Sequence, residues 1–320
     1  MRALLSIAQR LKKVHIIGAA NGNAGHQAGC EEAVQAMRNS AILKASTLDI
    51  EWGKIIKPRP SGTSLAALPG VIEFSRRLAT ATAEAVRQHR RLLVIGGDHS
   101  CAIGTWSGVA SALRDHGPLG LIWVDAHLDS HTPDTSDTGN IHGMPVAHLL
   151  GHGNAMLRHV GDPNRKILPQ HLAFVGIRSY EPAEQRLVEA SGVRVFYMDE
   201  VNARGINDVM QEAVDIVSSG TVGFGMSIDI DGFRIEDAPA VGTPVDGGID
   251  APQFINAVNH LDLSKLIATE IVEFLPRFDK DNKSERLVVS LIESIHARFQ
   301  RVNVAMPVRT QTGWMNRVNL

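Results

Sequence analysis

Two cysteines in 320 residues, Cys30 and Cys101, are too few for a disulfide framework, and neither belongs to a Cys-x-x-Cys pair that would hold zinc or do redox work. A reducing, cytoplasmic setting is the expectation. Charge of one sign is also lacking. The formal net charge is −2, and no stretch gathers Lys and Arg over consecutive turns, which excludes the electrostatic footprint of a nucleic-acid binder and points to a small-molecule partner. Long apolar runs are missing too. Met1 to Ile17 breaks its apolar residues with Arg2, Arg10, Lys12 and Lys13 and shows no small-residue cleavage site, so it reads as a short helix leading into a strand, with no membrane role. With no Pro/Ser-rich linker, charge block or internal repeat, residues 1–320 are expected to form one domain.

The chain does hold 44% hydrophobic residues, enough for a large core, and fourteen histidines, most of which need no chemical explanation. Short β-branched runs bounded by Gly or Asp recur: Val14 to Gly18, Leu92 to Gly96, Gly120 to Val124, Leu172 to Ile177, Val193 to Tyr197, Val222 to Ile230 and Leu266 to Val272, with a weaker one near Thr47 to Ile50. Between them, Val71 to Gln88, Ala183 to Ala190, Asn207 to Val217, Ala251 to Leu261 and Ser284 to Phe299 have helical spacing. This alternation predicts an α/β fold with a parallel sheet covered on both faces. The segment 301–320 lacks periodicity and is either disordered or an arm packing on a neighbouring subunit.

Three strands end in acidic and imidazole clusters, and in open parallel sheets ligands bind beyond the carboxyl ends of the strands. The first reads Gly96-Gly97-Asp98-His99-Ser100, with Ser100 placed to cap the next helix and Asp98 to fix the His99 ring as an outer partner. The second reads Asp125-Ala126-His127-Leu128-Asp129, whose spacing of two puts Asp125, His127 and Asp129 on one side of an extended segment. The third is Asp229-Ile230-Asp231-Gly232, where the same alternation pairs Asp229 with Asp231. Four carboxylates in one crevice would repel and take up protons unless cations compensate. Six ligands, His99, Asp125, His127, Asp129, Asp229 and Asp231, are too many for one tetrahedral zinc. Shared between two divalent ions, they leave room for a water or hydroxide. Imidazole and oxygen ligands without thiolate favour manganese modestly over iron, cobalt, nickel or zinc. Ions about 3.5–4 Å apart lower the pKa of water toward roughly 7 and supply a nucleophile at neutral pH.

These clusters, with Gly139-Asn140-Ile141-His142-Gly143-Met144-Pro145 and Gly242-Thr243-Pro244, resemble the arginase/agmatinase (ureohydrolase) family over nearly the whole chain. The resemblance implies a three-layer α/β/α fold with an eight-stranded, mostly parallel sheet, a binuclear manganese centre and a trimer or hexamer. It makes the six residues above metal ligands, His142 the histidine that shuttles protons and Glu273 the acid that holds the guanidinium. Asp129 is a second candidate for the proton delivery. It places His131, Ser136 and Thr138 near a substrate α-carboxylate, Glu181 and Glu184 near its α-amino group, and Thr243 among the substrate-binding candidates. The implied reaction is hydrolysis of arginine to urea and ornithine. His131, Thr138 and Glu181 stand where arginases usually have Asn, Ser and Asp, so agmatine, guanidinobutyrate or a related guanidino acid remains an alternative substrate. A zinc deacetylase of similar fold would need neither the Gly-Gly-Asp-His element nor a second set of aspartates.

Overall fold

The structure, a computed structural model, describes residues 13–25, 27–59 and 62–297, together with the backbone of 309–310 and 313–314. Eight strands form one sheet: β1 (Val14–Ala19), β2 (Ile50–Ile56), β3 (Arg91–Gly96), β4 (Leu119–Val124), β5 (Ile167–Ile177), β6 (Arg194–Tyr197), β7 (Gly223–Asp229) and β8 (Leu266–Val272). Their order is β2-β1-β3-β8-β7-β4-β5-β6, and every pairing is parallel. The sheet is therefore wholly parallel, as the recurring apolar runs predict.

Both faces are buried, which explains why these strands read as continuous apolar runs. Successive residues alternate between two cores. Leu93, Ile95, Ile122 and Val124 face a layer built from Ala33–Asn39, Ile206–Ser218, Ala251–Val258 and Lys283–Ala297. Leu92, Val94, Leu121 and Trp123 face Leu68–Arg87 and Cys101–Leu113 on the other side. Those last two helices touch closely because Gly108 has no side chain: a Cβ there would lie 2.1 Å from Thr82 Oγ1 and 2.3 Å from the Ala79 carbonyl.

The chain passes from β3 to β4 on opposite sides of the β8–β7 pair, which is inserted later. The four central strands, β3, β8, β7 and β4, thus end side by side at a switch in strand order, where parallel sheets open a crevice. The predicted strand near Thr47 to Ile50 lies instead at Ile50–Ile56, an edge strand that is half exposed. No helix among the described residues is long and apolar enough to cross a membrane. The helix expected at the start of the chain falls outside the described residues. So does the segment 301–320, apart from two two-residue strands, Arg309–Thr310 and Gly313–Trp314, paired antiparallel.

Candidate metal centre and substrate cavity

His99 follows β3, Asp125 follows β4, Asp229 ends β7 and Glu273 follows β8, so four adjacent strand ends each deliver one side chain to the crevice. The turn after β3 needs Gly97, where a Cβ would sit 1.8 Å from the Asn21 carbonyl oxygen. His127 and Asp231 are carried two residues beyond Asp125 and Asp229.

The six predicted ligands come together as two groups that share one carboxylate. His99 Nδ1 lies 3.1 Å from Asp125 Oδ2, 3.1 Å from Asp129 Oδ2 and 3.3 Å from Asp229 Oδ2. His127 Nδ1 lies 3.5 Å from Asp125 Oδ1 and 3.2 Å from Asp231 Oδ2. Each oxygen of Asp125 thus belongs to a different group. Backbone geometry produces this split in a way that strand alternation alone does not. Asp129 arrives through a left-handed turn, φ 46°, rather than along an extended segment. Asp229 and Asp231 are separated by a 3₁₀ turn in which Asp229 Oδ1 accepts the Asp231 N–H at 2.8 Å. They face different groups.

The donor set tests well for divalent cations. His99 Nδ1 and Asp129 Oδ2 are buried and make no hydrogen bond, although each lies near opposite partners: the distances suit a charge contact, the angles do not suit a shared proton. Atoms arranged this way fit metal coordination. His99, Asp125 and Asp229 form one set with converging ligand atoms, and Asp125, His127 and Asp231 another.

Electrostatics point the same way. Burial pushes the Asp129 carboxyl up to about 6, helped by the charge of Asp125. Burial, with Asp231 and Asp125, lifts Asp229 well above the usual carboxylate range. Burial opposes charge on the two imidazoles, yet the carboxylates around His99 raise it well above its ordinary value, and Asp231 and Asp125 push His127 up to about 12. Burial would also raise Asp125, but His127 and His99 outweigh it and hold that carboxyl below its usual range. The cluster demands positive charge beside its carboxylates.

Outer contacts differ in part from expectation. Asp98 does not reach the His99 ring. Neighbouring side chains diverge, and Asp98 instead accepts from Ser100, from the Ala24 N–H at 2.9 Å and from Asn21 at 3.4 Å. Ser100 stands at the start of its helix but makes no capping bond, because its hydroxyl is committed to Asp98. The His99 ring is held by residues the sequence did not single out. It stacks on Trp123 at 4.1 Å, and its Nε2 bonds Ser227 Oγ at 3.1 Å, which in turn donates to buried Glu270 at 2.8 Å. The signal available was their strand position: Ser227 and Trp123 each lie two residues before a metal-ligand candidate.

A cavity of about 260 Å³ opens above the cluster, lined by His127, Asp129, His131, Ser136, Asp137, Thr138, His142, Glu181, Glu184, Thr243 and Glu273 among others. His142 Nδ1 and Glu273 Oε1 lie 2.9 Å apart. Burial opposes charge on His142, but Glu273 outweighs it and pushes the imidazole up to about 9, while His142 in turn draws Glu273 below the usual range. At the outer end, His131 Nε2 contacts Glu181 and lies 3.4 Å from Glu184, and its Nδ1 bonds Thr135 Oγ1 at 3.1 Å. Both ring nitrogens are engaged. Burial pushes the Glu184 carboxyl up to about 7, and it accepts the Ser130 N–H at 3.0 Å. Ser136 Oγ and Thr138 Oγ1 lie 3.4 Å apart on the rim, and Thr243 Oγ1 donates to Asp231 Oδ2 at 3.1 Å.

Residues 12–297 match the model of the arginase family. The arginase of Bacillus caldovelox is 36% identical over 296 residues, which cover 89% of this chain and 98% of that protein. Its native structure superposes with a TM-score of 0.83. The arginase of Bacillus subtilis is 38% identical over 232 residues, 72% of this chain and 77% of its own. The arginase of Entamoeba histolytica, solved in complex with L-ornithine, is 28% identical with a TM-score of 0.80, covering 89% of this chain and 98% of that one.

Proposed function

The chain belongs to the arginase family, and on that premise we propose that it hydrolyses L-arginine to L-ornithine and urea at two divalent cations, manganese foremost. It is a metal-dependent ureohydrolase that cleaves a guanidino C–N bond in a small substrate. The observation that carries the two-cation reading is the division of Asp125, whose Oδ2 faces His99 and whose Oδ1 faces His127. His99, Asp129 and Asp229 with Asp125 would hold one cation, and His127 and Asp231 with Asp125 the other. A cation pair supplies a hydroxide nucleophile near neutral pH and steadies charge on the attacked group.

The protein's own side chains then have distinct tasks. Glu273, a buried carboxylate on the cavity wall, receives the guanidinium by charge-assisted hydrogen bonds and so orients its central carbon. Water adds to that carbon, the bond to the chain nitrogen breaks, and the departing amine must gain a proton. His142 carries one at neutral pH and lines the same cavity, which suits it for the transfer. Asp129 is the alternative donor. Ser136 and Thr138 offer hydroxyls to an α-carboxylate, and Glu181 and Glu184 offer carboxylates to an α-ammonium. His131 reaches the α-carboxylate by exchanging one of its present partners, and Thr243 keeps Asp231 in place at the cavity wall. A trimer or hexamer in the cytoplasm is the assembly and setting we propose.

Agmatine is a second reading with an observation behind it: the outer cavity carries Asp137, Glu181 and Glu184 against the single imidazole of His131, which favours a cationic substrate end. Urea release from arginine, agmatine and guanidinobutyrate in Mn²⁺ separates the two. An arginine preference of about tenfold or more in kcat/KM supports the proposal, since hydrogen bonds to a charged group are typically worth about 1.5–3 kcal/mol. A preference for agmatine removes the arginine assignment and leaves the ureohydrolase.

A further inference from the structure

Cys30 opens the 3₁₀ turn Cys30–Glu32 in the segment that leaves β1, and it is 1% exposed. Its thiol donates to Glu273 Oε2 with Sγ 3.0 Å from the oxygen. The other oxygen, Oε1, accepts the His99 backbone N–H at 2.8 Å and faces His142 Nδ1 at 2.9 Å. The carboxylate is therefore gripped at both ends. The same segment holds His142 as well: the Ala24 carbonyl accepts the His142 backbone N–H at 3.2 Å, and Gly25 lies against the imidazole ring.

We infer that Cys30 is a positioning residue for guanidinium recognition, its thiol fixing the rotation of the Glu273 carboxylate so that it faces the cavity. The inference rests on the proposed role of Glu273 and adds the group that sets its orientation. A thiol is a weak donor, so it orients a carboxylate while leaving most of its negative charge for the substrate. Burial and the adjacent charge of Glu273 raise the thiol far above its ordinary range, so it stays protonated and donates.

The test compares C30A, C30S, E273Q and C30A/E273Q for urea release from arginine, with metal content and thermal midpoint measured on each. Loss of one weak thiol donor to the carboxylate is expected to raise KM about three- to tenfold in C30A with a smaller change in kcat, and the hydroxyl of C30S should recover most of that. On the E273Q background, C30A should change KM no further, because the group it positions has already lost its charge. A purely structural role predicts otherwise. Unchanged KM in C30A while E273Q is impaired overturns the inference alone, as does equal loss in C30A and C30S, or a C30A penalty that persists on E273Q. Near-normal kinetics in E273Q overturns the assignment of Glu273, and the inference falls with it.

Discussion

His142 and Glu273 hold each other at 2.9 Å, yet they serve opposite needs: one keeps a proton at neutral pH, the other keeps a negative charge. Replacing His142 with Ala should lower turnover roughly 10²- to 10⁴-fold, the usual contribution of a positioned acid or base, with metal content unchanged by elemental analysis. Unaltered turnover would remove it from the mechanism. Glu273 also adopts φ 62°, a left-handed conformation that a side chain of this size rarely takes, and its N–H donates to the Gly97 carbonyl at 2.8 Å to hold it there. At this scale most of the cluster was legible, because the Asp-x-His-x-Asp and Asp-x-Asp spacings place chemically matched groups at strand ends. What stayed hidden depends on long-range contact. Cys30 and Glu273 are 243 residues apart, and no local pattern announces that a thiol will meet that carboxylate. The engagement of His131 with Glu181 and Glu184 was hidden for the same reason.

Loops after the strands are held by side chains that act as struts. The Arg178 guanidinium donates to the carbonyls of Asp231 at 2.7 Å, Val245 at 2.8 Å and Asp246 at 3.0 Å, pinning the exit of β7 to the following loop. Lysine cannot reproduce that fork. The R178K variant should lose about 10- to 100-fold in metal affinity, as outer-shell changes commonly do, measured by competition with a chelator. A second strut is His148, in the short helix Pro145–Leu149 just after the His142 loop. Its Nδ1 donates to the Met144 carbonyl at 2.7 Å and its Nε2 accepts the Asn154 N–H at 3.0 Å, so the neutral ring is fully used. Burial lowers it to about 4, against 6.5 when unfolded. A depressed pKa gives stability that is present above 6.5 and lost as pH falls through 4, up to about 3 kcal/mol. H148Q should therefore be less stable than the parent at pH 7, with the gap in unfolding midpoint closing as pH falls toward 4. Periodicity found most of the long helices but not Cys101–Leu113, which is buried on nearly every face and so shows no amphipathic stripe, nor Ala33–Asn39 and Met198–Arg204, which are about two turns each. β2 was placed too early because Glu51, Gly53 and Lys54 break its apolar pattern, as the half-exposed edge of a sheet allows.

For the molecule as a whole, cations that bind the folded state alone must stabilise it. At about 100 times its Kd, each adds about 2.7 kcal/mol, so chelation should lower the thermal midpoint and Mn²⁺ should restore it. Elemental analysis should plateau at two ions per chain; a plateau at one with full activity would contradict the paired centre. The sheet order could not be read from the chain, since the insertion of β8 and β7 between β3 and β4 is a choice among topologies that share the same pattern of runs. That insertion is what places Asp229 and Glu273 at strand ends between those carrying His99 and Asp125, in the crevice where the two oxygens of Asp125 face two groups. A shared anion makes the two binding events thermodynamically linked. In the proposed paired centre a first cation would spend part of Asp125's charge and repel the second, so the two dissociation constants should separate and half-loaded chains should accumulate when metal is scarce. Activity plotted against bound metal would then lag through the first equivalent and rise steeply through the second, giving the protein a threshold response to metal supply.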